Sequence, residues 1–359
     1  MKRLFFPGTF CVGNDILKDF VQYTSCYGNK FVFIGDEISL GVSRQQLAGS
    51  FQDRSCTCDF ITSGKLACRS EISRIQSLPQ VQDADVICAV GGGGCMDIAR
   101  TIANTLKKAL VMVPTTASSD APCTFVALCY SEDGSEIISD AIYHKCPDMV
   151  MVDSKIIAEA PPRLLAAGMG DAMATIYEGS TNYANPKGIG ITQTAMAMCR
   201  LCKDIIVKDG MAAYRAVECK SVTTQLENVI EANCFLSGIG GLNSGCAAAH
   251  GIGDYLCKLP GGHGFLHGER VYIGLMIQMV LEQYPVEEII KLMQFGRAAG
   301  LPVCIGDMGV ENIKETAEFL AQGLQGDHFM VNLNCDYSEY ILAGSIVYAQ
   351  HLADHLADN

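Results

Sequence analysis

Val86-Ile-Cys-Ala-Val90 runs straight into Gly91-Gly92-Gly93-Gly94, and a helix-length segment from Met96 to Lys108 follows. Five consecutive apolar residues closed by glycine fit a strand buried on both faces, as in a parallel sheet. Glycines at a strand-to-helix turn let backbone N–H groups approach a phosphate, and the helix N-terminus favours its charge. The same pattern recurs on either side. Phe31-Val-Phe-Ile34 runs into Gly35-Asp36, Leu110-Val-Met-Val113 into Pro114, and Met149-Val-Met-Val152 into Asp153. This alternation predicts an α/β half with a doubly wound, mostly parallel sheet.

The rhythm changes near residue 160. Pro161-Pro162 breaks the chain, and long helical patterns follow. Leu226, Val229, Ile230, Asn233, Cys234 and Ser237 fall on one helical face, and Val271, Leu275, Met276 and Met279 mark a helix over about 269–284. We therefore expect a dinucleotide-binding domain over 1–160, an all-helical metal-binding domain over 161–359, and an active site in the cleft between them.

Composition narrows the function. The 359 residues carry 26 Lys and Arg against 39 Asp and Glu, a net charge of −13. Such a chain repels a phosphate backbone, so broad nucleic-acid binding is excluded. No stretch approaches the roughly 20 apolar residues of a membrane span. Pro7-Gly8 cuts the N-terminal apolar run short of a signal-peptide core. The expectation is a soluble, cytoplasmic protein. Its 18 cysteines read as reduced, mostly buried thiols, since neither Cys56-Thr-Cys58 nor Cys199-Arg-Leu-Cys202 has a partner pair at zinc-ribbon spacing.

The glycine run is neither the usual dinucleotide fingerprint nor a P-loop. The candidate ribose acid, Asp36, lies upstream, and no Lys-Ser/Thr pair follows the glycines. Pro114-Thr-Thr-Ala-Ser-Ser-Asp-Ala-Pro122 leaves another strand. Its hydroxyls and single carboxylate suit a phosphate, a ribose or a polyol, or simply a capped turn. Asp171 stands near the start of a helical segment, where it could interact with the dipole. Of seven histidines, His250, His263 and His267 are grouped together. One Asp with two or three His suits a divalent ion such as zinc with a position open for substrate.

Several motifs in this order resemble the glycerol dehydrogenases of the iron-containing alcohol dehydrogenase and dehydroquinate synthase superfamily. They are Val113-Pro-Thr-Thr-Ala-Ser-Ser-Asp-Ala-Pro-Cys123, Gly168-Met-Gly-Asp-Ala-Met-Ala-Thr175, Ile230-Glu-Ala-Asn, Ser237-Gly-Ile-Gly240, Ala247-Ala-Ala-His250 and His267-Gly-Glu269. The resemblance covers nearly the whole chain. It implies Zn²⁺ on Asp171, His250 and His267, because the iron-using branch typically adds a histidine where this chain has Thr175. It implies NAD on Gly92, Gly93, Gly94, Thr115, Thr116 and Ser119, with Asp36 on the adenosine ribose and Ala127 and Tyr130 near the nicotinamide. Asp120 is the implied polyol contact, and a homo-oligomer is expected. Two positions depart from the family: Gly94 stands where a Lys is frequent, and Arg270 where Lys is usual. Arg270 could grip a carboxylate bidentately or make a surface or helix–helix ion pair.

The expected activity is NAD-dependent, zinc-assisted oxidation of a small polyol, glycerol to dihydroxyacetone foremost. Alternatives are a hydroxycarboxylate or other alcohol dehydrogenase of the same superfamily, a carbocycle-forming lyase, or a non-catalytic relative. Phosphorylated substrates fit poorly, since residues 109–165 carry only Lys145, Lys155 and Arg163 as cations. His263 and His267, four apart, would share a face if that segment were helical, making His263 a relay, a support or a bystander.

Overall fold

The computed structural model describes residues 2–64, 66–134, 137–185 and 190–356. Its main sheet has six strands, β1 (Phe10–Gly13), β2 (Lys30–Gly35), β3 (Thr57–Thr62), β4 (Val86–Gly91), β5 (Ala109–Pro114) and β8 (Met149–Asp153), all paired in parallel. The order is β1-β8-β5-β4-β2-β3. β6 (Val126–Tyr130) and β7 (Ile137–Ile142) form a separate antiparallel pair. The chain reverses its direction across the sheet between β2 and β4, so a crevice opens beyond their carboxyl ends.

The four apolar runs become β2, β4, β5 and β8, each almost wholly buried. Their side chains alternate between two cores. Phe31, Phe33, Val86, Cys88, Val111 and Met149 face Phe20, Leu47 and Phe51 on one side. Val32, Ile34, Ile87, Ala89, Met112 and Val150 face the other. That second core continues without interruption into the helical half, through Met169, Met173 and Leu275 as far as Ala353.

From Pro162 onward the long elements are helices, among them Pro162–Ala184, Gln193–Glu218, Ala248–Tyr255, His267–Leu281 and Glu339–Asp354. The His267–Leu281 helix is apolar almost all round and correspondingly buried, including Val271, Tyr272, Ile273, Leu275, Met276, Ile277 and Met279. The face from Leu226 to Ser237 is buried as its spacing predicts, but the helix is not continuous. Thr224–Glu231 passes into a π-helical turn, Ala232–Leu236, and then into Ser237–Ser244. Among the described residues no helix is long and apolar enough to cross a membrane. All 18 cysteines are free thiols.

Candidate active site

The glycine turn lies at the end of β4. Gly91 has φ +145°, a region that L side chains avoid, and Gly92 caps the Gly93–Leu106 helix. Gly92, Gly93 and Gly94 are half-buried, and no side chain lies over the first two more closely than ordinary contact. Backbone N–H groups are thus accessible at a helix N-terminus.

Asp36, at the end of β2, caps the Glu37–Gly49 helix. Its Oδ1 accepts from the N–H groups of Ile38 (2.9 Å) and Ser39 (3.1 Å). Its Oδ2 accepts from the Ser39 hydroxyl (2.7 Å) and the Cys95 thiol (3.5 Å). Burial would raise this carboxyl, but the Ser39, Cys95 and Ile38 bonds outweigh it and hold it below its usual value. The Ser39 hydroxyl also meets Thr115 Oγ1 at 3.1 Å, and the Thr115 N–H donates to the Gly91 carbonyl (3.2 Å). Asp36, the glycine turn and the loop after β5 therefore form one network at the carboxyl end of the sheet. In that loop Thr115 is buried, while Thr116, Ser119 and Asp120 are half-buried.

Arg100 carries the network further. It is fully buried and pairs with Asp97 (3.0 Å). It donates to the Val126 carbonyl (2.7 Å) and to the Ala121 carbonyl. The glycine helix is thereby bolted to the turn holding Asp120 and to β6, where Ala127 is buried and Tyr130 half-buried. Burial pushes the Tyr130 phenol up to about 12. Burial and the neighbouring Asp171 carboxylate push Asp120 up to about 7.

The Asp120 N–H donates to Asp171 Oδ2 (3.3 Å), which joins this loop to the helical half. Asp171 lies in the Pro162–Ala184 helix and is 1% exposed. His250 stands in the first turn of Ala248–Tyr255, and His267 opens His267–Leu281. Both imidazoles aim Nε2 at Asp171 Oδ1, His250 from 3.4 Å and His267 from 3.6 Å. The three ligand atoms lie within 4.8 Å of one another. The His250 and His267 side chains are 15% and 39% exposed, so the cluster opens toward solvent on the His267 side.

Asp171 Oδ1 is buried and has no hydrogen-bond partner among the described residues. An orphaned carboxylate oxygen facing two ring nitrogens is costly unless a cation completes the group. Charge agrees. Burial would raise Asp171, yet the facing histidines hold it below its ordinary value. Burial would lower His250, yet Cys246, Glu178 and Asp171 around it raise it well above its ordinary value. The residues present fit a divalent ion with nitrogen and oxygen ligands.

Glycines permit this convergence. A Cβ on Gly168 would overlap the Ala117 carbonyl, one on Gly268 the Ala167 carbonyl, and one on Gly170 would crowd the Gly268 carbonyl. The aspartate helix can therefore touch both the loop after β5 and the His267 helix. Glu269 orients the latter. Its carboxylate accepts the Leu266 N–H (2.8 Å) and forms a bidentate pair with Arg163 (2.6 and 2.7 Å). Thr175, one turn beyond Asp171, hydrogen-bonds Ser237 (3.1 Å) and packs against Gly240.

Three expectations change in the structure. Asp171 lies in the middle of Pro162–Ala184 rather than near a helix start, because the helix already begins at Pro162, so the N-terminal dipole does not account for it. His263 is exposed in the 3₁₀ turn Gly262–Gly264, and the helix begins only at His267, so the two share no helical face. Among the described residues Arg270 has no ion-pair partner. It donates to the carbonyls of Gly253 (3.2 Å), Phe265 and Gly262 (3.5 Å), tying down the loop before His267. Sequence reading missed Glu178 and Arg100, and placed Asn233 on a helical face and in a motif without giving it a role. Asn233, in the π turn, donates to the Ala117 (2.9 Å) and Leu165 (3.2 Å) carbonyls, linking the loop after β5 to the aspartate helix. A polar residue on an otherwise apolar helical face was the available signal.

An open parallel sheet with a phosphate-type turn, joined to helices that gather an Asp and two His, defines the architecture of a metal-dependent dehydrogenase. Residues 14–161 match the family described as iron-containing alcohol dehydrogenase. The chain is 35% identical over 312 residues to the glycerol dehydrogenase of Escherichia coli O6:H1, covering 85% of this chain and 84% of that protein. It is 36% identical over 315 residues to the glycerol dehydrogenase of Thermotoga maritima, covering 86% and 85%. The crystal structure of glycerol dehydrogenase from Schizosaccharomyces pombe superposes with a TM-score of 0.92 at 27% identity, over 100% of this chain and 92% of that one. The chain belongs to the iron-containing alcohol dehydrogenase family, and it is an oxidoreductase.

Proposed function

We propose that this protein oxidises a small polyol, glycerol to dihydroxyacetone foremost, with NAD as hydride acceptor and Zn²⁺ as metal. The carrying observation is the orphaned Asp171 Oδ1, which faces two imidazoles, on a carboxylate whose other oxygen, Oδ2, accepts from the Asp120 N–H of the loop after β5. The glycerol dehydrogenases among its relatives support the polyol.

Asp171, His250 and His267 would hold the cation, which when bound would lower the pKa of a substrate hydroxyl. Three protein ligands leave a position open for substrate. Thr175, engaged with Ser237, offers no fourth nitrogen, which supports zinc over the iron-type set. Gly92, Gly93, Gly94, Thr115, Thr116 and Ser119 would cradle NAD, with Asp36 at the adenosine ribose and Ala127 and Tyr130 toward the nicotinamide. For a ribose hydroxyl to reach Asp36, the Ser39 or Cys95 bond must yield. Asp120 would orient the polyol and is a candidate to take up its proton. His263, exposed in its 3₁₀ turn, would be the other candidate to carry the proton to water. We assign residues 1–160 to the cofactor half and 161–359 to the metal half, and expect a cytoplasmic homo-oligomer. A hydroxy acid is the second reading. We rank it lower because Arg270, the candidate carboxylate grip, is occupied by backbone carbonyls.

Elemental analysis paired with an NAD-linked polyol assay tests this. About one zinc per chain is expected, with turnover lost to a chelator and regained with Zn²⁺. Asp171→Asn should lose both; retention of both refutes the ligand set. Preference for a 2-hydroxy acid over glycerol and 1,2-propanediol would displace the substrate reading.

A further inference from the structure

The helix that carries His250, Ala248–Tyr255, has no cap of its own. Ala247 offers no side-chain acceptor, and no acid lies in the first turn. Its buried N–H groups are taken by residues of other helices. Glu178 Oε1 accepts from Ala247 (2.8 Å) and from His250 (2.9 Å), and Gln278 Oε1 accepts from Ala249 (2.7 Å). The second oxygen of Glu178 lies 2.6 Å from His250 Nδ1. One buried carboxylate therefore grips both the backbone and the ring of the same residue.

We propose that Glu178 is a positioning residue that decides which nitrogen of His250 faces the cation. The inference rests on the metal reading above. An ionised carboxylate only accepts, so the ring must present Nδ1–H to it and turn the Nε2 lone pair toward Asp171. Glu178 stands seven residues, about two helical turns, beyond Asp171 on one helix, so both act from one rigid element. Glu178, Cys246 and His250 also lie close enough to bind an ion themselves. The Nδ1–Oε2 separation of 2.6 Å argues otherwise. Two ligands about 2.0–2.1 Å from one tetrahedral zinc stand roughly 3.3 Å apart, so the pair is a hydrogen bond.

Glu178→Gln separates positioning from capping. With the amide oxygen kept on the two backbone N–H groups, its NH₂ faces Nδ1. The ring proton is then forced onto Nε2, toward the cation. Zn²⁺ affinity of the metal-free protein, measured by competition with a chromophoric chelator, is expected to fall ~10–100-fold. The unfolding midpoint of the metal-free variant should stay within about 3 °C of the parent. Gln278→Leu is the control. It removes a cap without touching the ring, so the midpoint should fall while affinity stays within about threefold. Unchanged affinity in Glu178→Gln, while Asp171→Asn still loses the ion, overturns this inference alone. Equal weakening by both cap variants reduces Glu178 to a structural role and also overturns it. A second Zn²⁺ per chain, lost in Cys246→Ser, would overturn it in favour of a cation site. A parent protein that binds no ion, and matches Asp171→Asn, removes the metal reading and this inference with it.

Discussion

Asp36 shows how one side chain carries two duties. As the cap of Glu37–Gly49 it satisfies two helix N–H groups, and as a negative charge it would oppose a phosphate on the cofactor ribose. Its folded pKa lies below the ordinary carboxylate value of about 3.9. Its contribution to stability is therefore complete above that value and is lost as pH falls through the lower, folded value. Asp36→Ala should cost about 1 kcal/mol near neutrality by denaturant unfolding. Asp36→Asn should keep the cap and abolish the acid-side loss. The Asn variant should also shift the NAD-over-NADP preference in kcat/KM toward NADP on the order of tenfold, about 1.4 kcal/mol. An unchanged preference would remove Asp36 from the cofactor site. At this scale the Asp171, His250 and His267 cluster was legible because histidine is scarce and the surrounding motifs are specific. Glu178 was not, since an acid within a helix reads as ordinary until its partners, 69 and 72 positions away, are seen.

The elements divide in the same manner. The strands β2, β4, β5 and β8 were readable because burial on both faces demands unbroken apolar runs. The edge strand β1 is four half-buried residues ending in glycine, and β3 mixes polar and apolar residues, so their pairing partner rather than their composition makes them strands. The π turn Ala232–Leu236 was hidden, because its apolar face continues the helical spacing on both sides. Close approach of helices was partly readable in glycine. Gly268→Ala would drive a methyl group into the Ala167 carbonyl and part the His267 helix from the aspartate helix. A loss of about 1–3 kcal/mol in unfolding free energy is expected, together with weaker Zn²⁺ binding. Wild-type stability would mean the two helices can separate at no cost.

Across the whole molecule, the cation would tie three helices of the metal half, and Asp120 would tie that half to the sheet. A ligand held by the folded chain alone stabilises it, by about 2.7 kcal/mol at a hundredfold excess over Kd. Chelation should therefore lower the unfolding midpoint, and Asp171→Asn should be insensitive to the chelator. A midpoint indifferent to metal in both would show that no ion bridges these helices.

The amino-acid order by itself determined the parallel α/β half, the helical half that follows it and the metal-type residues, because burial pattern, turn chemistry and motif spacing are local. Only the tertiary structure decided which nitrogen each histidine presents, that Arg270 is held by carbonyls and His263 stands exposed, and that Glu178 and Arg100 brace the site. Those outcomes depend on hydrogen-bond partners far along the chain, and such partners exist only once helices and sheet have closed on one core.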